Sequence, residues 1–213
     1  MGLQGEIRAE NHRHRRWSWR HLGNLSAQWL PDLNGAVRVW ARTPQVIRDM
    51  NNALDFSPHH EHLLAEAEER LISATSEREV ASIVRSLARA LASADGATVV
   101  LKRGERVAYV DEDAIGPLWK GQDFPIEACI SGWAITHRQT VVIDNIYDDP
   151  RIPIIAYKPT FVNSLAMAPV RPENPIAALG AYWADPHRAT AAQVRGLEAA
   201  AQTTAAALER LRA

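Results

Sequence analysis

The sequence holds one cysteine, Cys129, in 213 residues. A single thiol closes no disulfide within the chain, which excludes the stapled architectures of small secreted proteins and favours a reducing, cytoplasmic compartment. No stretch reaches the roughly 18 consecutive apolar residues that a membrane-spanning helix needs. The basic opening MGLQGEIRAENHRHRRWSWRH has no apolar segment behind it, so it does not read as a secretory signal. An excess of one charge is also missing, with 24 Lys and Arg against 25 Asp and Glu. A chain so balanced has no electrostatic reason to seek nucleic acid or an anionic membrane. A Gly-rich phosphate loop is absent, and His59-His60-Glu61-His62 is not an HExxH pair because Leu64 stands at the closing position. No metal site is therefore expected.

What is present divides near residue 56. Residues 1–56 carry four of the seven tryptophans (Trp17, Trp19, Trp29, Trp40) beside Arg13, Arg15, Arg16 and Arg20, interrupted by Gly, Asn and Pro. They read as an irregular arm packed on some surface, with one short helix over about residues 44–54. The patch HRHRRWSWR mixes cations with stacking aromatics, as single-strand nucleic-acid binders do. On a neutral chain the plainer reading is packed tryptophans with solvated arginines.

Residues 57–213 are regular. Ser57-Pro58 supplies an N-cap followed by proline at the first helical position. Ser76 to Glu79 forms a capping box opening a second helix, whose apolar face is Val80, Ile83, Val84, Leu87, Leu91 and Ala94. The period then changes to short β-type runs, ATVVLKR and RVAYVDE, joined at Gly104 as a hairpin. A loop with Gly116-Pro117 and Phe124-Pro125 follows, then a short helix around residues 129–137 and a strand at residues 140–145. YDDPRIPIIAYKPTF holds three prolines and reads as a long excursion. SLAMAPVR and PIAALGAYWAD are strands. Thr190 with Gln193 caps a final long helix. Along it Val194, Leu197, Ala201, Thr204, Leu208 and Leu211 recur at alternating spacings of three and four, a coiled-coil seam. A helix lying on the sheet edge is the other reading of that pattern. The fold class is α+β: a central antiparallel sheet with N- and C-terminal helices on one face, and loops and short helices forming a pocket on the other.

The run FPIEACISGWAITHRQTVVIDNIYDDPRIP, followed by SLAMAPVR and PIAALGAYWA, resembles the GAF domains found ahead of bacterial sensor histidine kinases. The parallel spans about residues 75–212. Its specific parts are Ser131-Gly132-Trp133-Ala134, which leads through His137 into the strand at 141–144, and the Asp149-Pro150-Arg151 step. The resemblance implies a sheet of about six strands, a ligand-sized pocket under the central loops and dimerisation through the terminal helices. The homodimer is expected to use Val194, Leu197, Ala201, Leu208 and Leu211. The chain ends at Ala213, where an output domain would begin. The expectation is therefore either a sensor acting on a separate signalling partner, such as a histidine kinase, or one whose output has been cut away.

Neither ligand nor cofactor is named by the sequence. One branch of the family reduces free methionine sulfoxide, but that chemistry needs a resolving thiol, and Cys129 stands alone; the chain is expected not to be an enzyme, with no catalytic residues. Cys129 reads as a small apolar residue at the start of the pocket helix, or as a redox-responsive thiol if the helix N-terminus lowers its pKa. The Cys-His pair by which family members anchor linear tetrapyrroles is missing from 151–157, and the Asn-Lys-Phe-Asp-Glu signature of cyclic-nucleotide binders is absent. Haem would require an axial ligand such as His137. There remain Trp119, Phe124, Trp133, Tyr157, Phe161 and Tyr182 as candidate pocket walls, with Asp144, His137 and Arg151 as candidate polar anchors. Arg151 can equally pair with Asp148 or Asp149.

Overall fold

The structure is a computed structural model that describes residues 57–212. The arm and short helix expected over residues 1–56 lie outside the described residues. Helix α1 spans Pro58–Ser73, with the Ser57 hydroxyl accepting from the His60 N–H at 3.3 Å. Helix α2 spans Glu77–Ala92 under Ser76, whose hydroxyl accepts from the Glu79 N–H at 3.2 Å. The expected capping box is half made. The Glu79 carboxylate reaches the Thr75 N–H at 2.7 Å, one residue before the cap.

Strands β1 (Gly96–Arg103) and β2 (Arg106–Ala114) form the expected hairpin. Gly104 takes the φ of +60° that its tight two-residue turn demands. A three-residue strand β3 (Asp123–Pro125) follows, where the sequence reads as loop. After a 3-10 turn come α3 (Ile130–His137), β4 (Val141–Ile143) and the one-turn α4 (Ile154–Tyr157). Strands β5 (Ser164–Val170) and β6 (Ala177–Trp183) and helix α5 (Ala191–Arg210) complete the fold. The strands form one six-stranded antiparallel sheet in the order β3-β2-β1-β6-β5-β4.

Every residue of β5 and β6 is buried, because the sheet is covered on both faces. Alternation sends Ala97, Val99, Leu101, Ala166, Ala168, Leu179 and Ala181 to one face, against Val84 and Leu91 of α2 and Leu197 and Leu208 of α5. Val100, Leu165, Met167, Ala178 and Tyr182 go to the other, beneath α3 and the central excursion. Strand β2 breaks the alternation. Its register with β1 passes from Val99↔Asp111 to Val100↔Tyr109, so Val110 is an extra, bulged residue. Tyr109 therefore faces the excursion, whereas Asp111 and Asp113 turn to the helices and bond Arg85 and Arg89 of α2 at 3.0 and 2.5 Å.

The seam on α5 closes the chain's own core. Leu197, Ala201, Thr204 and Leu208 are buried against α2 and the sheet, while Val194 and Leu211 are half-buried. Each fully buried Leu contributes about 1.5–3 kcal/mol, so the core takes these positions before a second chain can. Gly196 permits the approach, since a Cβ there would lie 2.8 Å from the Leu91 carbonyl oxygen. None of the described helices is long and apolar enough to cross a membrane.

Helix propensity alone favours Gly196→Ala by up to about 1 kcal/mol. The close packing on Leu91 reverses the sign, and overpacking of this kind costs about 1–3 kcal/mol. Urea unfolding of Gly196→Ala is expected to show a lower midpoint at unchanged m-value; a raised midpoint would contradict the α2–α5 packing.

Candidate functional site

The face opposite the helices is built from aromatic rings delivered by different elements. Tyr109 comes from β2, Trp119 from the loop after it, Phe124 from β3, Tyr157 from α4 and Tyr182 from β6. Trp119 is the hub: its ring centroid lies 4.8 Å from Tyr157, 5.6 Å from Tyr109 and 5.6 Å from Tyr182, each edge to face. Phe124 meets Tyr109 at 5.6 Å, also edge to face. Such pairs contribute about 0.5–1.5 kcal/mol beyond the area they bury.

The Tyr182 and Tyr109 hydroxyls and the Trp119 indole N–H are paired. Tyr182 lies back along its own strand over Gly180, where a Cβ would come within 2.4 Å of the hydroxyl. That hydroxyl shares a hydrogen bond with Thr98 Oγ1 at 2.9 Å. The Tyr109 hydroxyl and Ser131 Oγ are 3.1 Å apart, and Ser131 Oγ lies 3.3 Å from Cys129 Sγ. Cys129 is the N-cap of α3 and half-buried, with its thiol 3.7 Å from the Pro125 carbonyl. The Trp119 indole N–H donates to the Ala156 carbonyl at 3.2 Å, tying the hub to the excursion above it. Burial pushes the phenols of Tyr109, Tyr157 and Tyr182 well above their ordinary value, and the neighbouring phenols and thiol add to the shift of Tyr109 and Tyr157. All three remain neutral.

Of the residues expected to form the pocket, Trp119, Phe124, Tyr157, Tyr182 and Cys129 are thus brought together, and Phe161 packs at their edge, partly buried. Trp133 also packs against this cluster, partly buried, and the polar candidates are placed elsewhere. Trp133 and the exposed His137, four apart on α3, stack with centroids 4.2 Å apart, and His137 Nδ1 lies 2.9 Å from the Trp133 carbonyl oxygen. Arg151 covers Trp133, its guanidinium carbon 4.6 Å from the ring centroid. The Arg151 fork grips Asp149 at 2.9 and 2.6 Å and holds that carboxyl below its ordinary range, against a smaller opposing effect of burial. Asp144 is exposed in a separate groove of about 550 Å³, with the Arg188 guanidinium at 3.9 Å. Among the described residues, no three His, Cys, Asp or Glu side chains converge as metal ligands.

Tyr109, Ser131 and Thr98 are the members that sequence reasoning missed. The Val107–Tyr109 alternation on a strand was the available signal for Tyr109, and Ser131 lay inside the quoted Ser-Gly-Trp-Ala turn. Thr98 reads only as a strand former.

The profile of the GAF domain family matches residues 74–209. The fold also resembles the GAF domain of an Acinetobacter phosphoenolpyruvate-protein phosphotransferase, at 15% identity and a TM-score of 0.61 over 74% of this chain and 97% of that one. The free methionine-R-sulfoxide reductase of Neisseria meningitidis, solved with its substrate, superposes at 15% identity and a TM-score of 0.59, covering 72% of this chain and 90% of that one. The GAF-B domain of DevS from Mycobacterium smegmatis does so at 21% identity and 0.51, covering 62% and 93%. Likeness at these identities establishes the fold alone. No curated protein matches the chain by sequence.

Because Tyr109, Tyr157 and Tyr182 hold their protons in the folded state, the unfolded chain binds fewer protons than the folded one above pH of about 10. Their stabilisation is complete below that pH and falls as pH rises through and beyond it. A spectrophotometric titration at 295 nm, followed beside near-ultraviolet circular dichroism, should show these phenols ionising only as the tertiary signal disappears. Full ionisation with the tertiary signal intact would contradict their burial.

Proposed function

The chain belongs to the GAF domain family, and on that premise we propose that it is a small-molecule sensor, with the ligand held on the aromatic face beneath the excursion between β4 and β5. The observation that carries the reading is the cluster centred on Trp119: one ring joins β2, β6 and the excursion, with neutral phenols around it. In the present arrangement those rings rest on one another. A ligand would replace ring–ring contacts with ring–ligand contacts, a population shift rather than the filling of an open cavity. The phenols carry no charge, and those of Tyr109 and Tyr182 are paired with Ser131 and Thr98, which suits an uncharged or weakly polar aromatic molecule.

Signalling would run through the helices on the opposite face, in a cytoplasmic homodimer that addresses a partner or output domain such as a histidine kinase. Because Leu197, Ala201 and Leu208 serve the chain's own core, the dimer contact proposed is the outward side of α1 and α5. Ile72 is 75% exposed there, beside a groove lined by Leu71, Thr203, Ala206 and Ala207. The role is non-catalytic. The sulfoxide reductase likeness is one of fold, and the single thiol Cys129 has no second cysteine in these 213 residues with which to close a disulfide.

A second reading, a ligand-free dimerisation and interaction module, is favoured by the same rings, since they already close the face on themselves. One experiment separates the two. Native mass spectrometry of freshly purified protein, then with a metabolite library added, reads bound mass and oligomeric state together. A dimer that retains or captures a small aromatic molecule, and loses it in Trp119→Ala, is expected. A dimer that binds nothing supports the second reading, and a monomer at micromolar concentration removes the helical interface.

A further inference from the structure

The loop that carries Trp119 is fastened to β2 along an open edge. Strand β3 pairs only with Arg106, Val107 and Ala108, so from residue 109 onward β2 has no strand on that side. The loop takes its place. The Gly121 N–H donates to the Tyr109 carbonyl at 2.8 Å, and the Leu118 and Lys120 N–H groups donate to the two Glu112 carboxylate oxygens at 3.0 and 2.8 Å. Lys120, next to the aromatic hub, reaches round the edge and places its ammonium 2.7 Å from Asp111 Oδ1.

Asp111 is the residue that the bulge turns to the helical face. The same Oδ1 accepts from Arg85 Nη1 of α2 at 3.0 Å, and from the Glu112 N–H at 3.1 Å. One carboxylate oxygen therefore joins the pocket loop to a helix on the far side of the sheet. The Asp111 side chain is 9% exposed, and Arg85 Nε is buried without a hydrogen-bond partner. A guanidinium normally grips a carboxylate with two donors. Here Arg85 presents one nitrogen, Nη1, which bonds the oxygen shared with Lys120 and also the Glu112 carbonyl at 3.0 Å.

We propose that Asp111 is the coupling residue between the aromatic face and α2: when a ligand displaces Trp119, Lys120 leaves Asp111, and Arg85 turns from a one-donor to a two-donor grip that brings in Nε and shifts α2. The switch has two discrete arrangements of one ion cluster, both compatible with the fold. Its driving step is mechanical, because Trp119 lies between Leu118 and Lys120, the two residues whose N–H groups Glu112 holds. This rests on the reading of the aromatic face as the ligand site.

The test is made on the full chain without any ligand, so it stands apart from the search for one. Lys120 is 52% exposed, and Lys120→Met removes its charge without opening the core. In ¹⁵N-edited spectra the Arg85 Nε–H resonance should move downfield and exchange with water roughly tenfold more slowly, the lower end for a charge-assisted hydrogen bond. Trp119→Leu, altered on the opposite face, should produce the same signature in Arg85. If Arg85 is unchanged in Lys120→Met the relay is overturned, even should a bound molecule be found. A response to Lys120→Met that is missing from a folded Trp119→Leu overturns the link to the pocket. Both responses present, with no ligand captured in the binding screen, retain the coupling and remove the small molecule as its input.

Discussion

The constraint on which the molecule depends is that its sheet is buried on both faces. A strand in that position has no solvent side, so each must feed two cores through alternate residues. The two faces also differ in composition, with most of the strand alanines on one and most of the aromatic rings on the other. Toward the helices the alternation supplies Ala97, Ala166, Ala168, Ala177 and Ala181, which let α2 and α5 lie close. Toward the excursion it supplies Leu165, Met167 and Tyr182, onto which Trp119 and Tyr157 fold. One core packs alanines, with Val99, Leu101, Leu179 and Trp183 among them, under long helices. The other is made of large rings under a loop, so the two differ in what opening them requires.

How legible this was in the sequence follows from the length and period of each element. Helix α2 and strands β5 and β6 declare themselves because their patterns run for seven residues or more. Strand β3, three residues long, offers no period to detect, and a sixth strand was expected only from the family resemblance. The bulge at Val110 is equally silent. It depends on the register between two strands, and without it Tyr109 and Asp111 would share a face.

The α5 seam shows a different limit. Spacings of three and four serve both a coiled coil and a straight helix laid on a sheet, and the two drift apart by only about 20° per heptad. Over the eighteen positions from Val194 to Leu211 that drift is too small to tell a partner chain from the chain's own core. For the site, residue type was readable and direction was not. His137 carries the right chemistry, but it is exposed and stacks on Trp133 at the margin of the cluster, where Arg151 covers the indole ring. Tyr109, by contrast, sits in a strand whose pattern reads as structural.

Function, on this account, lives in the difference between the two cores. The helical core holds the fold, and the aromatic face is the part able to open, with Trp119 as its fastening to Ala156 of the excursion. Local opening draws on the less stable regions of a protein, and it proceeds at a lower free energy than global unfolding. The most direct measurement is native-state hydrogen exchange of the Trp119 indole N–H compared with the backbone amides of β6. The account predicts that the indole exchanges through a denaturant-independent opening while the β6 amides wait for global unfolding. Exchange of both at the same free energy, with the same denaturant dependence, would make the aromatic face ordinary core and contradict the claim that it is a site.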